Sequence, residues 1–239
     1  MSVHSRRYQA KIITLNTNQI KYYFERAKEY ERIYQKPERQ EDLTKLRIIL
    51  KDIFSAKSVF EIACGTGYWT QFISETAKSI FAVDLNDTVI EIARSKKYHA
   101  PITFEKADIF NITNTNEKFD SGFGGFIWSH IPKQELDVFL SGFISNISPG
   151  GLVVFVDNKY VEGSNTPIKS KDEYGNTYQI RQLSDGSKYK VMKNFPVEKE
   201  LLDIIDPIGS DIELEQLKYF WVLKFKVKNN AYYQHQKLH

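Results

Sequence analysis

Three carboxylates each close or follow a short apolar run: Glu61 in VFEIACGTGYWT, Asp84 in SIFAVD and Asp108 in KADIF. The first sits just ahead of two glycines, Gly65 and Gly67, at an expected strand-to-helix turn. A dinucleotide fingerprint would need a third glycine where Thr70 stands. A Walker loop would need Gly-Lys-Ser/Thr where the chain has Tyr68-Trp69-Thr70. Two large aromatic rings directly after Gly67 leave little room for a pyrophosphate. The missing Cβ at Gly65 and Gly67 instead lets a ligand lie against bare backbone, with Ala63 beside it. The N-terminus of the next helix favours a carboxylate, and Glu61 is placed for an ammonium group. A ligand with both groups is an amino acid.

Asp84, with Leu85 after it, stands where an acid at the end of a second strand accepts hydrogen bonds from ribose hydroxyls. Asp108 and Ile109 follow the third run, where they would meet an adenine's amine and cover its face. Amino acid, ribose and adenine in that order describe S-adenosylmethionine. Each acid also has a plainer role: Asp84 as a strand-end cap and Asp108 as a turn cap. Cys64 reads as a small buried residue, since nothing close in sequence would activate it as a nucleophile.

The elements that must position these residues follow from hydrophobic period. Tyr23, Ala27, Tyr30 and Tyr34 form an aromatic stripe in an N-terminal helix that Pro37 ends, and Leu43, Leu46, Leu50 and Ile53 form a second stripe. From Ser58, strands alternate with helices: SVFEIA, SIFAVD, ITFEKAD, GGFIWS and LVVFVD, with helices between them and SPGG as the turn before the last. This rhythm implies a parallel sheet covered on both faces. Residues 159–173 read as a polar loop. Residues 178–195 read as a hairpin around Ser184-Asp185-Gly186-Ser187, so that 159–195 is an inserted loop and hairpin. IELEQL and YFWVLKFKV should pair antiparallel. No repeat or linker divides the chain, and a single domain over 1–239 is expected, with frayed ends at 1–18 and 230–239.

Composition sets outer limits. The 239 residues are 41% hydrophobic and 26% charged, enough for one sizeable core. A net charge of +3 arises from 33 basic and 30 acidic residues, which gives no electrostatic footprint for nucleic acid. One cysteine precludes an intramolecular disulfide. No apolar run approaches the roughly 18 residues that cross a bilayer, and the start lacks the apolar stretch of a signal peptide. A cytoplasmic protein without membrane contact is the expectation.

Taken together, Glu61 to Gly67, Asp84, Asp108-Ile109, Phe126-Ile127-Trp128 and the 148–151 turn resemble the ordered motifs of class I S-adenosylmethionine-dependent methyltransferases, with Ala63 where glycine is common. The resemblance covers roughly Val59 to Asp157. It implies an α/β Rossmann-like sheet of seven strands in the order 3-2-1-4-5-7-6, strand seven antiparallel, under an N-terminal helical lid. It also implies S-adenosylmethionine as cofactor and a small-molecule acceptor. Alternatives are an RNA or protein acceptor, or a non-catalytic S-adenosylmethionine-binding scaffold. Expected cofactor contacts are Tyr23 and Arg26 from the lid, then Glu61, Ala63, Gly65, Gly67, Trp69, Asp84, Leu85, Asp108, Ile109 and Trp128. His130 is the candidate general base, since its ordinary pKa lies near neutrality; capping the helix after Pro132 is its other role. Asp157-Asn158 resembles the magnesium-binding pair of catechol-type methyltransferases. Those sites also need an acid after strand four, where this chain has Trp128-Ser129-His130, so no metal is expected. The Asn/Asp-Pro-Pro-Tyr/Phe element of base and glutamine methylation is absent. The hairpin's Arg181, Lys188, Lys190 and Lys193 suit an acidic acceptor or a solvated basic face.

Overall fold

The computed structural model describes residues 17–112 and 118–229. The expectation of frayed ends falls largely on 1–16 and 230–239, outside the described residues. The Tyr23–Tyr34 stripe divides into two elements. Helix α1 runs Thr17–Glu25, and a 3-10 segment occupies Ala27–Gln35. Ala27, Tyr30 and Ile33 recur at steps of three, which stacks them on one edge of a three-residue turn. Ala27 is buried, and Tyr30 and Ile33 pack on the core. After a 3-10 turn at Pro37–Arg39, helix α2 spans Gln40–Ile53 and buries Leu43, Leu46 and Leu50 completely.

The alternating region builds β1 Ser58–Ile62, α3 Tyr68–Ser74, β2 Ser79–Asp84, α4 Asp87–Arg94 and β3 Ile102–Lys106. Then come β4 Phe119–Gly125, α5 Leu136–Ile144 and β5 Ile147–Asn158. Helix α6 Glu198–Ile205 leads to β9 Gly209–Gln216 and β10 Phe220–Val227. The sheet order is β3-β2-β1-β4-β5-β10-β9. β10 is antiparallel to both neighbours, and the strands from β3 to β5 pair in parallel. This is the expected seven-stranded order, with β9 and β10 as strands six and seven. Successive strand residues face opposite sides. Val154 and Val156 join the core under α2 and α3, whereas Val153 and Phe155 join the core under α5 and α6.

Three expectations are corrected. Strand four lies at Phe119–Gly125, not Gly124–Ser129, and Trp128–His130 forms a 3-10 turn beyond it. Its glycines concealed it: a Cβ on Gly122 would lie 2.7 Å from the Phe143 ring, and one on Gly124 2.5 Å from Phe155. The bare positions are where the Phe143 and Phe155 rings come closest to the strand. Residues 148–151 are not a separate turn but an irregular start to β5, where pairing jumps from Phe119–Ile147 to Ser121–Leu152. Residues 159–173 contain β6, Ile168–Lys171, which pairs with β7, Thr177–Gln182. With β8, Lys188–Met192, they make a separate sheet in the order β6-β7-β8, where the expected hairpin closes at Gln182–Lys188.

Candidate functional site

The chain reverses its direction across the sheet between β1 and β4, and ligands bind beyond the strand ends at such a switch point. A cavity of about 290 Å³ lies there. Its floor is built from residues at or just past the C-terminal ends of the first four strands: Ala63 and Gly65, then Asp84 and Leu85, then Asp108 and Ile109, then Gly125 and Phe126. Tyr23 and Tyr30 cover it from the N-terminal segment. Backbone conformation marks the same place. Ala63 (φ +51°), Gly65 (φ +56°) and Phe126 (φ +62°) are all left-handed, a conformation that costs non-glycine residues energy and clusters at functional sites.

Asp84 fixes the loop. Its Oδ2 accepts the Gly65 N–H and its Oδ1 the Asn86 N–H, each at 2.9 Å. Burial raises its pKa despite those bonds. Each oxygen keeps a second lone pair for a hydroxyl. Asp108 caps its own turn, accepting from the Phe110 N–H and Asn111 Nδ2, while still lining the cavity. Each acid thus fills its capping role while also lining the cavity.

Several expected contacts lie elsewhere. Gly67 lacks a Cβ because Tyr98 Oη would sit 2.4 Å from it, so its bare face admits a neighbouring ring and not a ligand. Trp69 is buried, donates from Nε1 to Tyr34 Oη at 3.1 Å and stacks on Phe126. It props the cavity wall from behind. Trp128 is buried edge-on to Phe155 and Trp221 in the core under α5, because the 3-10 turn swings it away from the strand ends. Glu61 is 2% exposed and is not among the residues lining this cavity; burial pushes its pKa up to about 8, with Asp84 adding to the rise. Among the described residues its Oε2 has no hydrogen-bond partner. Cys64 is buried and its thiol is pushed well above its ordinary range, as suits an inert residue.

His130 has both nitrogens engaged. Nδ1 lies 2.8 Å from the Met192 carbonyl, which can only accept, so Nδ1 carries the proton. Nε2 then offers its lone pair to Tyr23 Oη at 2.8 Å. Burial, then Lys193 and Arg181, hold the imidazole pKa well below its usual value. Burial drives Tyr23 the other way, to about 12. A neutral histidine therefore accepts from a protonated tyrosine.

A second cavity, of about 320 Å³, is also lined by this pair. It shares Tyr23, Tyr30, Phe126 and His130 with the first. Arg26 belongs here and not to the first cavity, lying 5.5 Å from the ring centres of Tyr22 and Tyr30. Lys36, Arg39, Arg181 and Lys193 also line the second cavity, among neutral residues that include Asn158, Ser164 and Gln179. Lys193 is buried and donates to Asp157 Oδ1 at 2.9 Å, while Asp157 Oδ2 accepts from the Ser129 N–H and Oγ. Asp157 thus serves as counter-ion to Lys193. No local signal in the sequence marks Tyr30, Lys36 and Arg39 as site residues; only folding brings them beside the hairpin.

Residues 59–151 match the methyltransferase domain family. That match covers β1 to the start of β5, and the sheet has the seven-stranded order expected of the class I methyltransferase fold. An uncharacterized methyltransferase of Anoxybacillus flavithermus is 26% identical over 107 residues, 45% of this chain and 50% of that relative. The chain thus spans half the length of that protein. One of Oceanobacillus iheyensis is 23% identical over 74% of both chains. Among solved structures, the fold is similar to that of DhpI bound to SAH, with TM-score 0.72 and 24% identity over 89% of this chain and 97% of DhpI. The complex of DhpI with SAM and HEP gives TM-score 0.73 and 23% identity, covering 88% and 97%.

Proposed function

We propose that this chain transfers a methyl group from S-adenosylmethionine in the first cavity to a small-molecule acceptor in the second. The observation that carries the reading is that the two cavities meet at Tyr23, Tyr30, Phe126 and His130, beyond the β1/β4 switch point. The first cavity suits the cofactor. Asp84 is held rigidly for the ribose, Asp108 and Ile109 flank the place for the base, and Ala63 and Gly65 present backbone to the methionine end. The cofactor supplies a methyl on positively charged sulfur, so the protein's task is alignment and exclusion of water.

Tyr30 and Phe126 do part of that task. Aromatic rings at the junction stabilise a cation by about 0.5–2 kcal/mol. His130 positions the acceptor. An acceptor hydroxyl that displaces the Tyr23 hydroxyl meets the same Nε2 lone pair, which then takes its proton. The second cavity, at about 320 Å³, is on the scale of small-molecule sites. That DhpI is seen with SAM and HEP together supports a two-ligand reading. The inserted sheet and the N-terminal segment both line the second cavity, so we treat them as parts of one catalytic unit.

The test combines binding and turnover. Calorimetry should show SAH binding that Asp84→Ala weakens at least roughly tenfold, the scale of one lost charge-assisted hydrogen bond; unchanged affinity would remove Asp84 from the ribose role. Methyl-labelled S-adenosylmethionine should yield SAH with some member of a panel of small acceptors. Tight cofactor binding with no product from any acceptor would leave the scaffold reading in its place.

A further inference from the structure

Five cationic side chains line the second cavity, Arg26, Lys36, Arg39, Arg181 and Lys193, and among the described residues no aspartate or glutamate does. They come from three separate parts of the chain: the 3-10 segment's N-cap, the turn before α2, and the inserted sheet. A solvated basic face would not gather them so. The same hairpin's Lys188 and Lys190 do point to solvent, whereas Arg181 and Lys193 turn inward.

Two of the five have acidic partners, Lys193 with Asp157 at 2.9 Å and Lys36 with Glu38 at 4.0 Å. Among the described residues the three guanidiniums form no ion pair, although the Glu38 and Asp42 carboxylates lie near enough to Arg39 to act on its charge. Arg39, 6% exposed, donates to Ser164 Oγ and Asn158 Oδ1. Arg181 donates to Gln179 Oε1 at 2.9 and 3.1 Å. Arg26 lies against two tyrosine rings. Removing such charges from water without an ion-pair partner is unfavourable, and a bound anion offsets it. Guanidinium presents a planar fork that matches two oxygens of one oxyanion.

We infer that the acceptor carries a small oxyanionic group, a carboxylate, phosphate or phosphonate, held in this cavity by Arg181, Arg39 and Arg26. The inference rests on the two-cavity reading for the word acceptor, but the anion site stands on its own residues. The group anchors the acceptor on residues that line the second cavity alone, which leaves the acceptor's nucleophile for the junction at Tyr23 and His130.

Calorimetry with inorganic phosphate, acetate, methylphosphonate and the neutral control acetamide, with and without SAH, tests it. At least one oxyanion should bind and acetamide should not. Arg181→Gln should weaken that binding roughly tenfold or more, Arg181→Lys less, and SAH affinity should stay unchanged in both, which also certifies folding. Preference among the three probes identifies the oxyanion. Failure of every oxyanion to bind the wild type, equal binding of acetamide, or full binding by both Arg181→Gln and Arg26→Gln would overturn the inference. Loss of SAH binding alone, with Arg181-dependent anion binding retained, would sink the cofactor reading and leave the anion site standing.

Discussion

Glu61 and His130 are both buried titratable groups, and each is held in its neutral form, but the pH consequences are opposite. The Glu61 carboxyl has its pKa raised from an ordinary 4.5 to about 8, so the native chain keeps a proton that the unfolded chain loses between those values. Its contribution to stability is complete below about 4.5 and is lost as pH rises through about 8. Glu61→Gln, neutral at every pH, should therefore gain on the wild type by a few kcal/mol across that window. Urea midpoints measured from pH 5 to 9 check this, and parallel curves would show that Glu61 is ionised in the folded state. For His130 the folded pKa is depressed, so its contribution is present above about 6.5 and is lost on acidification. In catalysis His130→Ala should slow turnover by about 10²–10⁴-fold with SAH affinity intact. A full-rate variant would reduce the residue to holding Tyr23 and the Met192 carbonyl.

At the scale of elements, β4 shows how a strand can be built to bring others close. FDSGFGG carries three glycines in seven residues, a composition that weakens an isolated strand. Here Gly122 and Gly124 lie under Phe143 and Phe155. Gly124→Ala should overpack that contact and cost about 1–3 kcal/mol, read as a lowered urea midpoint. An unaltered midpoint would mean that the ring moves aside freely. The N-terminal segment is the other element with a particular task. α1 and the 3-10 segment set Tyr23 and Tyr30 where the two cavities meet and Arg26 at the second cavity alone.

Across the whole molecule, the inserted three-stranded sheet is tied to the main sheet by Lys193. Its ammonium reaches Asp157 at the end of β5 and also Ser129 beyond β4, with the lysine and aspartate side chains 5% and 0% exposed. Asn194 reinforces the join, accepting from the Thr177 N–H and donating to the Ile131 carbonyl. Lys193→Met should leave Asp157 buried without its counter-ion and cost about 3–5 kcal/mol. Raising salt should not mask the loss, since a buried pair is poorly screened. A near-neutral variant would show that Asp157 takes up a proton cheaply and that the join rests on Asn194.

Much of this was legible in residue order. Hydrophobic alternation marked strands one, two, three and five and the helices between them, because period is a local property, while the glycine-rich fourth strand was placed several residues too late. The acids at 84 and 108, with Ala63 and Gly65, could be placed at one cavity because parallel strands deliver their C-terminal ends to one edge. Tertiary structure alone decided the rest. Whether a glycine faces a ligand or a neighbouring ring depends on what packs on it, and so Gly67 went to Tyr98 while Gly65 stayed with the cavity. Tryptophans 69 and 128 look alike in sequence as ring-bearing neighbours of motifs, yet both are core residues, since their large apolar area is best buried. The convergence of Arg26, Arg39 and Arg181 was invisible in a chain of nearly balanced charge. Net charge sums over all residues, whereas the field in a cavity depends on the few that folding turns inward.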